Sequence, residues 1–308
     1  MFKRSSLSRV LLLLAILIFF SVNTVYFVES DSSALRAEVD HVYHFDFDNV
    51  RKKTPYINVK AAIAVNYDNG EVLYTRKADQ PRPIASITKL MTAMIIVDEG
   101  VDLSTTQTIS REDARNSSRS RLKVGYELTL KDLLYCALLN SDNRAARALA
   151  RATCGSLEQF AAAMNHKAAQ LGLVETYFVE PTGLDEGNVS TPHEVAKLLH
   201  YAYDYDLIAN VTSEKKRKVR VLNRKNKMLQ MANTNLLVNS PYKVLAGKTG
   251  FIFEADHCLV TLIQNREGER LTIALLGVPG DKRRFREARK LANWSFKQIQ
   301  PPAALASN

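Results

Sequence analysis

Ser86-Ile87-Thr88-Lys89-Leu90-Met91-Thr92-Ala93-Met94-Ile95-Ile96-Val97-Asp98 reads as a helix with almost no polar face. Ile87, Leu90, Met91, Met94, Ile95, Ile96 and Val97 are spread nearly all round it, and a helix apolar on every side belongs inside a core. Pro81 and Pro83 prepare its start and Gly100 marks its stop. Ser86 and Lys89 interrupt that apolar surface, three residues apart and so on one helical face.

Strand signals precede this helix, further helices follow it, and strand signals return near the far end. Residues 59–65 and 71–75 read as two strands joined by Asp68-Asn69-Gly70, a hairpin turn sequence. Residues 259–263 and 271–278 form a second apolar pair around Asn265-Arg266-Glu267-Gly268. Asp281 then reads as the cap of a helix that puts Phe285, Ala288, Ala292 and Phe296 on one face. Between the two strand regions lie helical stretches at 86–98, 130–153, 157–171 and 192–203, punctuated by Gly100, Gly155, Gly172 and Pro181-Thr182-Gly183. Thr191, Pro192 and Glu194 are placed as cap, first helical residue and capping-box partner of the last of these. The expected class is α+β: an antiparallel sheet built from both chain ends and covered by helices, with an inserted helical subdomain at about 100–200.

The chain has 308 residues, 46% apolar and 24% charged, a globular composition that excludes general disorder. Lys3, Arg4 and Arg9 precede an apolar run at 10–22, the layout of an export signal. Ser21, Asn23 and Thr24 interrupt that run while residues 25–28 extend it, so residues 1–30 read as a cleaved signal peptide or as a retained membrane anchor. Either way the expected location is periplasmic. Residues 31–56 are expected to be an exposed lead-in, 57–297 the folded domain and 298–308 a short tail. Cys136, Cys154 and Cys258 are an odd number. Cys136 and Cys154 could bridge two helices, but their Ala-rich surroundings favour buried free thiols. No cluster has metal-ligand spacing, and neither a metal nor a cofactor is expected.

A lone Ser-x-x-Lys carries little information, since it occurs four times, at Ser86, Ser120, Ser213 and Ser240. Only Ser86 stands at the head of an apolar helix. Burial disfavours the ammonium form of Lys89, and a neutral amine beside a hydroxyl is a usable general base. The plainer reading is a helix cap followed by a lysine that snorkels to solvent. Two further motifs favour the chemical reading. Ser141-Asp142-Asn143 breaks two apolar helices, where Ser141 can pass a proton and Asn143 can hold a peptide backbone; an ordinary Asx turn is the plainer alternative. Lys248-Thr249-Gly250 reads as a strand on which Lys248 and Thr249 bind a carboxylate while Gly250 admits a substrate close to the backbone. Three motifs in this order, separated by 55 and 107 residues, supply what acyl transfer through a serine ester needs.

The surrounding text resembles the low-molecular-mass penicillin-binding proteins, the D-alanyl-D-alanine carboxypeptidases and endopeptidases of bacterial cell walls. Arg82-Pro83-Ile84-Ala85 leading into Ser86, Asn140 to Ala146, Phe178-Val179-Glu180-Pro181-Thr182-Gly183-Leu184 and Asn188-Val189-Ser190-Thr191 carry it. The resemblance spans about 57–297, and with His257-Cys258-Leu259-Val260 it is nearest to the endopeptidase branch. It implies the penicillin-binding protein and β-lactamase-like transpeptidase fold, and hydrolysis of D-alanyl cross-links in peptidoglycan through an acyl-serine. Removal of terminal D-Ala is the alternative. It further implies that Ser86 attacks, Lys89 takes its proton, Ser141 serves the leaving amine, and Lys248 with Thr249 holds a carboxylate. Backbone amides of Ser86 and of a residue just after Gly250 would hold the oxyanion. Peptidoglycan stem peptides are the implied partners and β-lactams the implied covalent inhibitors.

Two departures from the family pattern stand out: Asp142, shared with class A β-lactamases, and Glu254-Ala255-Asp256, which replaces a typically smaller stretch. A β-lactamase would need a deacylating Glu with an Asn four residues on; Glu180 is followed at that spacing by Leu184 and reads as part of the Pro-Thr-Gly loop. A penicillin-binding sensor with little turnover is set against by the intact Ser86, Lys89 and Ser141. The net charge is +10, and eight Lys and Arg fall at 215, 216, 217, 218, 220, 224, 225 and 227. They read as a solvated hairpin, or as an attraction to anionic murein peptides or lipid. Nucleic acid is not an expected partner of an exported chain.

Overall fold

Strands β1 (Ala61–Asn66) and β2 (Val72–Arg76) open the fold as the expected hairpin. Gly70 turns it at φ 74°, where a Cβ would sit 2.5 Å from the His44 carbonyl oxygen. A two-residue strand β3 (Arg82–Pro83) and a 3-10 turn at Ala85–Thr88 lead into α1 (Lys89–Asp98). Then come β4 (Thr106–Thr108), β5 (Glu127–Thr129), α2 (Leu130–Leu139), α3 (Asn143–Cys154), α4 (Leu157–Gln170), β6 (Val189–Ser190), α5 (Pro192–Tyr203) and α6 (Asp206–Ser213). The hairpin β7 (Lys216–Arg220) and β8 (Met228–Ala232) follows, and β9 (Lys243–Ile252), β10 (Asp256–Gln264), β11 (Arg270–Val278) and α7 (Asp281–Ser295) close the chain. This computed structural model describes residues 42–299 except 49, 52–53 and 118–119. The expected signal or anchor at 1–30, the lead-in at 31–41 and the tail at 300–308 lie outside the described residues.

The fold is α+β. Five strands form one sheet in the order β2-β1-β11-β10-β9, every neighbouring pair antiparallel, so strands from both ends of the chain meet at the β1–β11 ladder. One face carries Ala62, Ala64, Leu259, Ile263, Ile273 and Leu275 against Phe285, Ala288, Leu291 and Ala292 of α7. The other face carries α5, fastened by a 2.7 Å hydrogen bond between His200 Nε2 and the Thr272 hydroxyl. Coverage on both sides explains why eight of the nine residues of β11 are buried. The helix that the sequence marks as apolar all round is the hub of the helical layer: α1 packs against α2, α3, α4, α5 and α6, with Lys89 through Ile96 all buried.

Five local features depart from the expectation. The helix expected from residue 86 begins as a 3-10 turn, because Ala85 takes φ 49° and enters it from the left-handed region; the α-helical turns start at Lys89. Asp281 is the first helical residue, not the cap: Gly280 is, and Asp281 instead accepts from Arg284 at 2.7 Å. Thr191 caps α5 by accepting from the Glu194 amide at 3.0 Å, but Glu194 turns away from the box to accept from the Glu175 amide and the Thr176 hydroxyl. Short helix α6 has no counterpart among the expected stretches; its cap residue, Tyr205, makes no side-chain capping bond. The lead-in is only partly exposed, since Tyr43 and Phe45 alternate inward to meet His200 and His193 edge-on or tilted at 4.8–5.4 Å. All three cysteines are free thiols, with Cys136 and Cys258 buried.

Candidate active site

The 3-10 turn places Ser86 half-buried one turn ahead of Lys89, and the Lys89 Nζ lies 2.9 Å from Ser86 Oγ. Lys89 is wholly buried. Its other hydrogens go to Asn143 Oδ1 and the Thr182 carbonyl oxygen, both at 2.6 Å. Burial pushes the amine down to about 7, partly opposed by the carboxylates of Glu180 and Asp142 and assisted by Arg147. The hub helix buries five large apolar side chains, each contributing roughly 1.5–3 kcal/mol, so the helix stays buried and the lysine yields its proton instead. The two carbonyl oxygens can only accept. A neutral amine therefore keeps its two N–H bonds on them and turns its lone pair toward the Ser86 hydroxyl.

Ser141 stands in the break between α2 and α3, at φ 59°, a left-handed conformation that side chains with a Cβ seldom adopt. Asp142 holds it there. One carboxylate oxygen caps α3 through the Arg144 and Ala145 amides at 3.0 and 3.2 Å, and the other accepts from Ser120 Oγ at 2.6 Å. Lys248 is buried on β9, opposite Val260 of β10, and donates to Ser141 Oγ at 2.8 Å and to the Thr249 carbonyl at 2.9 Å. Burial, then the neighbouring Lys89 and Arg284 charges, hold its amine well below the ordinary lysine range. Thr249 Oγ1 reaches Thr234 Oγ1 at 2.6 Å.

All three motifs thus converge. Two of their residues sit differently from the expectation. Asn143 directs its carbonyl oxygen to Lys89, leaving its NH2 end for the groove it helps line. Gly250 makes room chiefly for the chain itself: a Cβ there would meet the Ile84 carbonyl oxygen at 2.8 Å and the Ser86 amide nitrogen at 3.1 Å. β9 is the edge strand of the sheet, and at Gly250 its backbone lies directly against the segment that presents Ser86. A groove of about 470 Å³ is lined by Ser141, Asp142 and Asn143 of the second motif and by 251–254, the residues that follow the third.

Supporting residues went unread in the sequence. The Glu180 carboxylate accepts from the amides of Thr182, Gly183 and Leu184 and from the Thr182 hydroxyl, which shapes the loop whose carbonyl grips Lys89. Its loop role was legible; its hold on Lys89 through Thr182 was not. Asn188 bonds the Glu180 carbonyl, the Val179 amide and the Thr88 hydroxyl, joining that loop to the helix start. Ser120 has the look of a chance Ser-x-x-Lys. Arg284, on α7, donates to the carbonyl oxygens of Gly250 and Cys258 at 2.9 and 3.3 Å. Only contacts across long stretches of chain define its task, so no local pattern reveals it.

Comparison with known proteins follows the same lines. Residues 48–280 match the profile of the D-alanyl-D-alanine carboxypeptidase family. A D-alanyl-D-alanine endopeptidase of Pseudomonas aeruginosa is 38% identical over 239 residues, 76% of each chain. Another of that name, from Escherichia coli, is 36% identical over 260 residues, 82% of this chain and 83% of that one. Among solved structures, a Streptomyces DD-transpeptidase superposes with a TM-score of 0.74 at 29% identity, over 80% of this chain and 99% of that one. A D-alanyl-D-alanine carboxypeptidase of Mycobacterium tuberculosis gives 0.74 at 28% identity, over 85% and 98%.

Proposed function

The chain belongs to the D-alanyl-D-alanine carboxypeptidase family and is a serine D-Ala-D-Ala peptidase of peptidoglycan; on that premise we propose that it is an endopeptidase that cuts D-alanyl cross-links between stem peptides. The observation that carries the chemistry is a buried amine, lowered to about 7, whose remaining valence is aimed at Ser86 Oγ across 2.9 Å. The preference for cross-links is supported by the two endopeptidase relatives, which match over most of their own length.

Ser86 Oγ attacks the carbonyl of the D-Ala linkage while Lys89 takes the hydroxyl proton. The oxyanion develops beside the Ser86 amide and the edge of β9 just past Gly250, where fixed N–H donors stabilise it more in the transition state than in the substrate. Ser141, receiving a hydrogen bond from Lys248, gives its own proton to the departing amine and takes in exchange the one that Lys89 removed from Ser86, so the amine leaves, the acyl-serine forms and Lys89 is neutral again. Lys248 and Thr249 hold the carboxylate on the leaving side, and Asn143 offers its NH2 to the peptide backbone. Water then attacks the ester with neutral Lys89 again as proton acceptor. A β-lactam enters by the same first step and remains on Ser86. The export-type N-terminus supports action in the periplasm, with tethering to the inner membrane where the segment stays uncleaved.

Incubation of the purified protein with cross-linked muropeptide dimer, followed by mass spectrometry, tests this. Monomers that disappear in Ser86→Ala are expected. Release of terminal D-Ala alone would make the enzyme a carboxypeptidase, and penicillin labelling without turnover would make it a sensor.

A further inference from the structure

The hairpin β7–β8 and its turn carry the eight basic residues between 215 and 227. Among the described residues only the Arg217 side chain pairs with a carboxylate, Glu214 at 2.9 Å, while the Arg220 backbone amide donates to Asp132 Oδ2 at 3.4 Å; Arg217 also lies over the Tyr135 ring at 3.9 Å, and Arg224 lies over Tyr126 at 5.9 Å. Lys215, Lys216, Lys218, Arg220, Lys225 and Lys227 are exposed and form no ion pair among the described residues. A solvated structural hairpin usually mixes signs, since like charges repel. Here two carboxylates, Glu214 and Asp132, stand against eight cations, so most of the repulsion is left uncompensated.

The hairpin is also joined to the groove. Arg121 donates from its guanidinium to the Gln230 carbonyl of β8 at 2.8 Å. Its neighbour Ser120 lines the groove and holds Asp142 at 2.6 Å, between Ser141 and Asn143. The turn is fixed too, since the Leu222 amide donates to the Glu127 carbonyl at 2.8 Å and Asn223 Nδ2 to the Gly125 carbonyl at 2.8 Å. The cationic face therefore stands at a set position beside the groove wall.

Resting on the reading that this groove cuts peptidoglycan peptides, we propose that the hairpin is a docking surface for the carboxylate-bearing polymer itself, holding the sacculus beside the site. Its charges act on a polymer with many carboxylates and not on one small peptide, because each exposed contact is weak and screened within about 10 Å at 0.1 M salt. The free acidic groups of neighbouring stem peptides are the complementary chemistry. Peptide cross-links are thereby presented to Ser86 at high local concentration.

The quadruple variant Lys216→Gln, Lys218→Gln, Lys225→Gln, Lys227→Gln tests this, with the matching Lys→Arg set as charge-preserving control and thermal melting to show both are folded. Cosedimentation with purified sacculi at low salt is expected to weaken by roughly tenfold in the Gln variant, and kcat/KM on sacculi to fall with it. The Arg set should retain both, and wild-type binding should fade as salt rises. Cleavage of a soluble dimer should be unchanged in both variants. Equal activity of the Gln variant on sacculi, or salt-insensitive wild-type binding, would overturn the proposal while leaving the peptidase reading intact. So would loss confined to vesicles of phosphatidylethanolamine and phosphatidylglycerol, which would make the partner a membrane. Failure of the wild type to cleave the soluble dimer would instead sink the endopeptidase reading.

Discussion

Lys89 must be uncharged to act, and its folded pKa lies near 7 because its burial outweighs the nearby carboxylates. Protonation increases as pH falls, so kcat/KM should drop below about pH 7, approaching tenfold per unit, and flatten above it. A pH profile of β-lactam acylation measures this, and an acid limb centred near pH 5 would rule out Lys89 as the base. Arginine cannot lose its proton, so Lys89→Arg should lose roughly 10²–10⁴ in rate, and the guanidinium forced into the same burial should also lower the melting temperature, so the rate is read well below it. At the neighbouring break, Ser120→Ala removes a hydrogen bond to the nearly buried Asp142 carboxylate. That should lower stability by about 1.5–3 kcal/mol in urea titration, and should slow acylation because Asp142 no longer pins the strained Ser141.

At the scale of elements, the site depends on two close approaches to the turn that holds Ser86. Gly183 and Gly250 both crowd it, but unequally. A Cβ on Gly183 would meet the Ala85 carbonyl oxygen at 1.9 Å and would also occupy φ 77°, whereas Gly250 meets its nearest atom at 2.8 Å in ordinary extended strand. Gly183→Ala should therefore unfold more easily than Gly250→Ala, by thermal melting, while both acylate slowly. Equal melting temperatures would refute the assignment of strain to the loop. Ser86 and Lys89 were legible because a spacing of three at the head of an apolar helix puts both on one side whether that turn is α or 3-10. The sheet was legible because alternating apolar runs and the Asp68-Asn69-Gly70 turn are local signals. The 3-10 start was not: Ala85 takes a positive φ only because β9 and the Gly183 loop close on it, a tertiary demand that no neighbouring residue encodes. Nor was Ser120, whose partner lies 22 residues on, across the groove wall.

Across the whole molecule, the three motifs belong to a helix start, a helix–helix break and a sheet edge, so the site exists only while the helical layer and the sheet remain in register. Arg284 links these parts from the far face. It is 7% exposed, its guanidinium reaches the carbonyl oxygens of Gly250 and Cys258, register partners on β9 and β10, and Asp281 pairs with its other nitrogen at 2.7 Å. Gly250 is where β9 lies against the Ser86 segment, so a group on α7 sets the seating of the strand that closes the active site. Arg284→Met keeps most of the apolar stem but removes charge-assisted bonds to two carbonyls, which should cost about 1.5–3 kcal/mol. Loss of position at the β9 edge should also slow penicillin acylation of Ser86. Arg286 is the control: it lies two residues on, 65% exposed, with only a long 3.6 Å contact to Glu287 among the described residues, and Arg286→Met should stay within about 0.5 kcal/mol of wild type with normal acylation. The decisive readout is acylation measured well below the melting temperature of each variant, where all are fully folded. Slow acylation in folded Arg284→Met, beside a normal Arg286→Met, shows that α7 holds β9 against Ser86; a normal rate in both would confine Arg284 to stability and leave the edge strand seated by Gly250 and its ladder to β10 alone.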